Sequence, residues 1–175
     1  MTTDTQRRDE GASAAKTLRS IKALEFTHVL AIPDSESRLL FEAVDADADL
    51  DLIVPCREGE SVAIASGLWL GGAKPLLLIQ NTGLMEAGDA IRGCGIGPRI
   101  PLRLVVGWRG YASAAAGKVP LDSADPYTEP LLEAWGIPFW HLMGDDDLGV
   151  LEQMDRAASE RSFPAAVITG FGYRP

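Results

Sequence analysis

The sequence has few of the residues that build disulfide-rich, zinc-binding or nucleic-acid-binding proteins. Its only two cysteines, Cys56 and Cys94, are far apart and form no CxxC pair. This usage argues against a disulfide framework or a zinc site and favours two small buried side chains. Acidic residues outnumber basic ones by 25 to 16, which gives a net charge of −9. The excess of negative charge argues against nucleic acid or an anionic membrane as a partner.

Long apolar runs are missing as well. No segment approaches the roughly 20 apolar residues that cross a bilayer, so we expect no membrane-spanning helix. The N-terminal segment lacks the apolar centre of a secretory signal, which predicts a disordered arm over residues 1–14 and a cytoplasmic location. Residues 15–175 contain no long linker and no internal repeat, and are expected to form a single domain.

The motifs of several common enzyme classes are also absent. The chain contains no GxGxxG, no GxxxxGK[ST] and no GxSxG, which argues against Rossmann dinucleotide binding, P-loop chemistry and the common hydrolases. The acidic run GDDDLG is typical of a solvated helix start, so we predict no metal site on this chain. His28 and His141 lie beside apolar runs, which favours structural roles for both.

Apolar runs and helical patterns alternate along the chain. This alternation predicts an α/β fold: one doubly wound, mostly parallel six-stranded sheet with helices on both faces. The longest predicted loop covers residues 111–125. The predicted strands cover residues 27–33, 50–55, 74–80, 100–108, 137–142 and 163–171, and the predicted helices cover residues 14–26, 34–44, 58–72, 83–94, 126–136 and 145–162.

Four polar groups directly follow predicted strands, at residues 33–35, 57–58, 80–83 and 108–110. In an open parallel sheet the carboxyl ends of the strands share one edge, and ligands bind there. Glu58 is notable because it heads the uncharged helical segment 61–72, which we expect to be buried all round. A carboxylate at a helix start can simply complement the helix dipole. In a dry setting it can instead share a proton with a ligand.

Four short motifs in this order resemble those of the thiamine-diphosphate-dependent decarboxylases. They are Pro33-Asp34-Ser35, REGE at 57–60, QNTG at 80–83 and GWRG at 107–110. The likeness is greatest to sulfopyruvate and phosphonopyruvate decarboxylases, and it covers about residues 15–172. It corresponds to their pyrimidine-binding (Pyr) domain, or to the separate alpha subunit of two-subunit members. The chain thus resembles one half of such an enzyme.

The resemblance implies a catalytic role for Glu58. In this family the glutamate at that position contacts the N1′ nitrogen of the cofactor aminopyrimidine, and shares the proton that leads to deprotonation of the thiazolium C2 carbon. The other expected contacts are carried over by position in the same way. Pro33, Asn81, Thr82 and Gly83 would join Glu58 in binding the cofactor, and Ser35, Gln80, Asn81 and Arg109 would bind substrate.

The family's diphosphate motif, GDG followed by a distant Asn, is absent here. The resemblance therefore implies a beta subunit whose diphosphate-binding domain holds thiamine diphosphate and Mg²⁺, in a hetero-oligomer that contains an alpha dimer. The implied function is decarboxylation of a small 2-oxo acid, sulfopyruvate- or phosphonopyruvate-like.

Three alternatives remain open at the level of sequence: a non-catalytic Pyr-like regulatory or scaffold module, a carboligase or acyl-transfer subunit, and an unrelated flavodoxin-like ligand-binding domain. The substrate is open too. Met85, Glu86 and Asp89 replace an amide-rich SGLGN-type pattern, and extra acids near the pocket disfavour a strongly anionic substrate. Arg109 suits an anionic substrate group, and it equally suits an ion pair with a surface acid.

Overall fold

The computed structural model describes residues 11–119 and 122–175. Its strands are β1 (Ala12–Ser13), β2 (His28–Ala31), β3 (Asp51–Ile53), β4 (Pro75–Gln80), β5 (Arg103–Gly107), β6 (Phe139–Leu142), β7 (Ala165–Thr169) and β8 (Tyr173–Arg174). Its α-helices are α1 (Ala14–Ala23), α2 (Arg38–Asp45), α3 (Glu58–Leu70), α4 (Asn81–Glu86), α5 (Gly88–Ala90), α6 (Tyr111–Ala115), α7 (Thr128–Ala134) and α8 (Val150–Arg161).

The central sheet has six parallel strands in the order β3-β2-β4-β5-β7-β6. The predicted fold class is confirmed, and each of the six predicted strands is present. Every residue of β4, β5 and β7 is buried. Strands that are covered on both faces need continuous apolar runs, which is why these segments show no polar alternation.

Helices cover both faces of the sheet and enclose two apolar cores. Successive side chains of a strand point to opposite faces, so Leu76 and Leu78 of β4 belong to one core and Leu77 and Ile79 to the other. The first core is completed by α1, α2 and α8, and the second by α3, α4 and α7. This layering brings the carboxyl ends of β2, β3, β4 and β5 to one edge, as the sequence predicts.

The predicted loop over residues 111–125 is wrong for its first part. Tyr111–Ala115 form α6, which starts after Gly110 in the left-handed region at φ 100°. Gly tolerates that conformation, and the alanines that follow are strong helix formers. The weak helix predicted at 83–94 is also irregular: its residues are divided among α4, α5 and a π-helical turn, Ile91–Ile96.

The two ends of the described chain are tied together. β1 pairs in parallel with β8, and Asp145 accepts a hydrogen bond from the Ser13 N–H while pairing with Lys16 and Arg174. Hydrogen bonds from Lys16 and Ser13 lower the pKa of Asp145 to about 2. Of the predicted arm over residues 1–14, residues 1–10 lie outside the described part, and residues 12–14 lie in β1 and α1.

No helix within residues 11–119 or 122–175 combines the length and apolar composition that crossing a membrane requires.

The two histidines have polar partners: His28 Nδ1 lies 2.8 Å from Thr27 Oγ1, and His141 Nε2 lies 2.7 Å from Glu129 Oε1. Both cysteines are free thiols. The prediction of burial is wrong for Cys56, which is exposed in the loop between β3 and α3.

Candidate active site

Glu58 is the first residue of α3, and its carboxylate lies against the start of α4. A Cβ atom built on Gly83 would be 2.4 Å from Glu58 Oε1 and 2.6 Å from Glu58 Cδ. Real Cβ atoms do not approach other atoms so closely, so only glycine fits at position 83 while the carboxylate keeps this position. Gly83 of the QNTG motif and Glu58 of the REGE motif therefore form one unit.

The Glu58 carboxylate makes no hydrogen bond or ion pair inside the part of the chain that the structure describes. Its acidic neighbours are all engaged: Glu60 accepts a hydrogen bond from the Cys56 N–H at 2.7 Å, and Glu86 pairs with Arg57 at 2.5 Å. An acceptor left unpaired among paired neighbours is available to a ligand. In this respect the geometry fits the role predicted for Glu58.

Glu86 fastens the first turn of α3 to the end of α4. One of its oxygens pairs with the Arg57 guanidinium, and the other accepts a hydrogen bond from the Gly59 N–H at 2.8 Å. Glu58 lies between those two partners in sequence, so this clamp fixes the backbone that carries it. The sequence suggested Glu86 as an extra negative charge near the pocket. In the structure that charge is matched by Arg57.

Glu86→Gln should loosen this turn. The amide oxygen can still accept a hydrogen bond from the Gly59 N–H, but the negative charge and the ion pair with Arg57 are lost. This loss is worth about 1 kcal/mol, so the equilibrium constant for local opening of the turn should rise roughly fivefold. Amide hydrogen exchange at Gly59, measured by NMR on the full chain, should rise accordingly. Asp89→Asn is the matched control, because among the described residues Asp89 pairs only with Arg92, at an exposed position. Equal exchange at Gly59 in both variants would contradict the clamp.

The expectation that α3 is buried all round is wrong for this chain. Ser61, Val62, Ala65 and Ser66 are buried, but the opposite side is open, and Leu70 is 71% exposed. The helix packs one side on the second core while its other side, equally free of charge, faces outward. An uncharged helix is typical of burial, but among the described residues nothing covers this second side.

The side chain of Asn81 is committed to contacts within the protein. It is fully buried, and its Nδ2 donates to Thr128 Oγ1 at 3.0 Å and to the Arg109 carbonyl at 3.2 Å. Its Oδ1 accepts from the Thr82 N–H at 3.0 Å and from the Arg109 N–H at 3.3 Å. Asn81 therefore ties the ends of β4 and β5 together. A direct contact with cofactor or substrate stays a prediction for this residue.

The remaining predicted residues of β2 and β4 lie at the same sheet edge. Thr82 Oγ1 donates to Gln80 Oε1 at 2.9 Å, so these two side chains orient each other. Pro33 and Ser35 are exposed on the loop after β2. Between them, Asp34 accepts hydrogen bonds from the Glu36 and Ser37 N–H groups and so shapes the turn into α2. Their ligand contacts likewise stay predictions.

Arg109 lies in a cavity of about 330 Å³ above the ends of β5 and β7. Its Nε is 3.1 Å from Asp122 Oδ2, so the ion pair with a nearby acid that the sequence allowed is present. Glu58 does not line this cavity. Sequence reasoning missed Glu36 and Asp122 in its wall, and the position of Glu36 next to Ser35 was the one available signal. The main lining side chains are Glu36, Trp108, Arg109, Ser113, Asp122 and Phe171.

Comparison with solved structures shows the class of fold to which this chain belongs. A thiamine diphosphate-dependent 4-hydroxybenzoylformate decarboxylase from Rhodococcus jostii RHA1 matches 94% of this chain with a TM-score of 0.69 and 18% identity, over 32% of its own length. A second solved structure, from Mycobacterium smegmatis, matches 94% of this chain with a TM-score of 0.75. The chain has the Pyr-type α/β fold of thiamine-diphosphate-dependent enzymes.

Proteins of similar sequence show which thiamine-diphosphate-dependent enzymes this chain resembles. A sulfopyruvate decarboxylase from Methanosarcina acetivorans is 34% identical over 62% of this chain, which spans 27% of that protein. A sulfopyruvate decarboxylase subunit alpha from Methanococcus maripaludis is 25% identical over 80% of this chain and 83% of its own length. A phosphonopyruvate decarboxylase from Streptomyces hygroscopicus is 32% identical, and this chain spans 24% of it. No family model matches the chain.

The resemblance predicted from the four motifs is confirmed: the chain is similar to sulfopyruvate decarboxylase alpha subunits and to phosphonopyruvate decarboxylases. It spans about a quarter of the length of the longer relatives and most of the length of the alpha subunit.

Proposed function

We propose that this chain is the alpha subunit of a two-subunit thiamine-diphosphate-dependent enzyme that decarboxylates a small 2-oxo acid, sulfopyruvate- or phosphonopyruvate-like. The observation that carries the proposal is the Glu58 carboxylate, which lies next to Gly83 at the start of α3 without a partner inside the described chain. The similarity to named decarboxylases supports the reaction class. A cytoplasmic location is part of the same proposal.

Glu58 would hold a proton at the N1′ nitrogen of the aminopyrimidine. Bound thiamine diphosphate supplies the electron sink for decarboxylation, and the protein supplies orientation and protonation state. The helix start suits this role because it fixes the carboxylate on a rigid element and the Arg57–Glu86 clamp holds the turn. Pro33, Thr82 and Gly83, which follow β2 and β4 at the same sheet edge, would contact the bound cofactor as well.

Substrate would bind on the side of Ser35, Gln80 and Arg109. A guanidinium binds carboxylate, sulfonate and phosphonate through a fork of several N–H donors. The Nε of Arg109 pairs with Asp122, and its terminal nitrogens donate no hydrogen bond within the described part of the chain. Those nitrogens are the donors that an anionic substrate group would use, and the Ser35 hydroxyl would orient the reacting carbonyl.

The partner in this proposal is a beta subunit that carries the GDG…Asn motif, the diphosphate and Mg²⁺. The outward side of α3 is a surface suited to assembly. Ala63, Gly67 and Leu70 are exposed there, and the helix carries no charged residue from Ser61 to Leu70. A hetero-oligomer built around an alpha dimer would cover it. Obligate interfaces of this kind commonly bury more than about 2,000 Å² in total.

The test is reconstitution with a partner chain that carries the GDG…Asn motif. The mixture should release CO₂ from at least one 2-oxo acid in a panel, and release should depend on thiamine diphosphate and Mg²⁺. Calorimetry should find that this chain alone binds thiamine diphosphate weakly or not at all, since the diphosphate anchor is on the partner. Tight Mg²⁺-dependent binding by the lone chain, or turnover without a partner, would contradict the proposal.

A further inference from the structure

Two glycines, one at the end of β5 and one just before β8, make room for Glu36. A Cβ atom on Gly107, at the end of β5, would lie 2.8 Å from Glu36 Cβ. A Cβ atom on Gly172, before β8, would lie 3.1 Å from the Glu36 carbonyl oxygen, and Gly172 also has φ +70°. Neither position tolerates a larger residue without a shift. The fold thus brings the loop after β2 against the cavity that holds Arg109.

The Glu36 carboxyl is part of the wall of that cavity. Ser35 Oγ donates to its Oε1 at 3.2 Å, and Arg109 and Asp122 belong to the same wall. Burial raises the pKa of Glu36, and Asp34 raises it further, while the Ser35 hydrogen bond and Arg109 act in the opposite direction. The titratable and charged groups around it are therefore Asp34 on its own loop and Arg109 and Asp122 from the segment after β5.

We propose that Glu36 is a specificity-determining residue of the substrate cavity, because its carboxyl competes with the distal anionic group of a 2-oxo acid for the guanidinium of Arg109. This inference rests on the proposed function for the identity of the ligand. When Glu36 is protonated, Arg109 can receive a sulfonate or phosphonate. When Glu36 is ionised, the cavity holds two carboxylates against one guanidinium, and an uncharged distal group is favoured.

The direction of the pH dependence follows from this competition. The raised pKa keeps Glu36 protonated to a higher pH than an exposed glutamate. The KM for a substrate with an anionic distal group should rise as the pH increases through the Glu36 pKa, while kcat changes less. The KM for a substrate with an uncharged distal group should not follow the same profile, since that group does not compete for Arg109.

The kinetic test compares sulfopyruvate with 2-oxobutanoate in the reconstituted enzyme. In Glu36→Gln, the ratio of kcat/KM for sulfopyruvate to kcat/KM for 2-oxobutanoate should rise roughly tenfold at the alkaline end of the pH range. The rise should come from a lower KM for sulfopyruvate. Glu42→Gln is the matched control, since it removes the same charge from α2 where Glu42 pairs with Arg38 at an exposed site. An unchanged ratio in Glu36→Gln, or an equal shift in Glu42→Gln, would overturn the inference.

A binding measurement separates this inference from the proposed function. Sulfoacetate is titrated into the full chain while the Arg109 Nε–H signal is followed by NMR. Glu36→Gln should bind the probe roughly tenfold more tightly than the parent at alkaline pH. If this holds but no 2-oxo acid is decarboxylated, only the proposed function fails. If Arg109 does not respond, or both proteins bind the probe equally, the inference fails even in an active enzyme.

Discussion

Glu58→Gln should lower turnover of the assembled enzyme by about 10² to 10⁴, the usual size of a general acid–base contribution. The amide is close to the carboxylate in size and can occupy the same helix start, so the melting temperature should stay within a few degrees of the parent. What is lost is the ability to hold and release a proton at the aminopyrimidine. Turnover and thermal unfolding measured on the same preparation check both parts of this expectation.

Glu60→Gln is the control for charge and helix position. Glu60 lies two residues further along α3, is exposed, and accepts a hydrogen bond from the Cys56 N–H that the amide oxygen can still accept. The loss of this charge should therefore leave turnover within about twofold of that of the parent enzyme, since surface substitutions typically have small effects. Equal losses in the two variants would mean that Glu58 acts only through the helix dipole.

Gly83→Ala should be the second most damaging substitution. The new methyl group would occupy the space of the Glu58 carboxylate, 2.4 Å from its Oε1 in the present geometry, so the carboxylate must move. Displacements of about 1 Å at a reacting group can cost roughly 10² in rate. Gly83 lies within α4 without a positive φ, and alanine is a better helix former, so the fold should be retained.

The matched control for Gly83→Ala is Gly149→Ala. No atom of the kind that would meet a new side chain lies within 4 Å of a Cβ built on Gly149, which precedes α8 and is not part of the REGE or QNTG motif. This variant should keep parental turnover and melting temperature. If Gly83→Ala turned over like Gly149→Ala, the carboxylate of Glu58 would not be held against Gly83 during the reaction.

The centre of the sheet was predictable because β4, β5 and β7 are buried on both faces. A short continuous apolar run such as PLLLIQ is typical of a central strand, and the helical spacing of apolar residues indicates most of the helices between the strands. β1 and β8 were not predictable, since two-residue strands carry no periodic pattern and pair across almost the whole chain. The open side of α3 was missed for a different reason. An uncharged surface is typical of a helix in a core and also of a helix that meets another subunit.

The site was predictable in its motifs and less so in its contacts. Because Glu58, Asn81 and Arg109 follow predicted strands, the sequence placed them at one edge of the sheet. It could not reveal that the Asn81 side chain forms hydrogen bonds with Thr128 and Arg109. The place of Glu36 depends on Gly107 at the end of β5 and on Gly172 just before β8. Such contacts arise from tertiary packing, and no local pattern in the sequence encodes them.

The central claim is that Glu58 activates the cofactor from this chain, and the most direct measurement is hydrogen–deuterium exchange at C2 of thiamine diphosphate in the assembled enzyme. Exchange precedes any contact with substrate, so it reports on Glu58 independently of which 2-oxo acid is used. We predict fast exchange in the parent and in Glu60→Gln, and exchange about 10² to 10⁴ slower in Glu58→Gln. Exchange in Glu58→Gln as fast as in the parent would contradict the account.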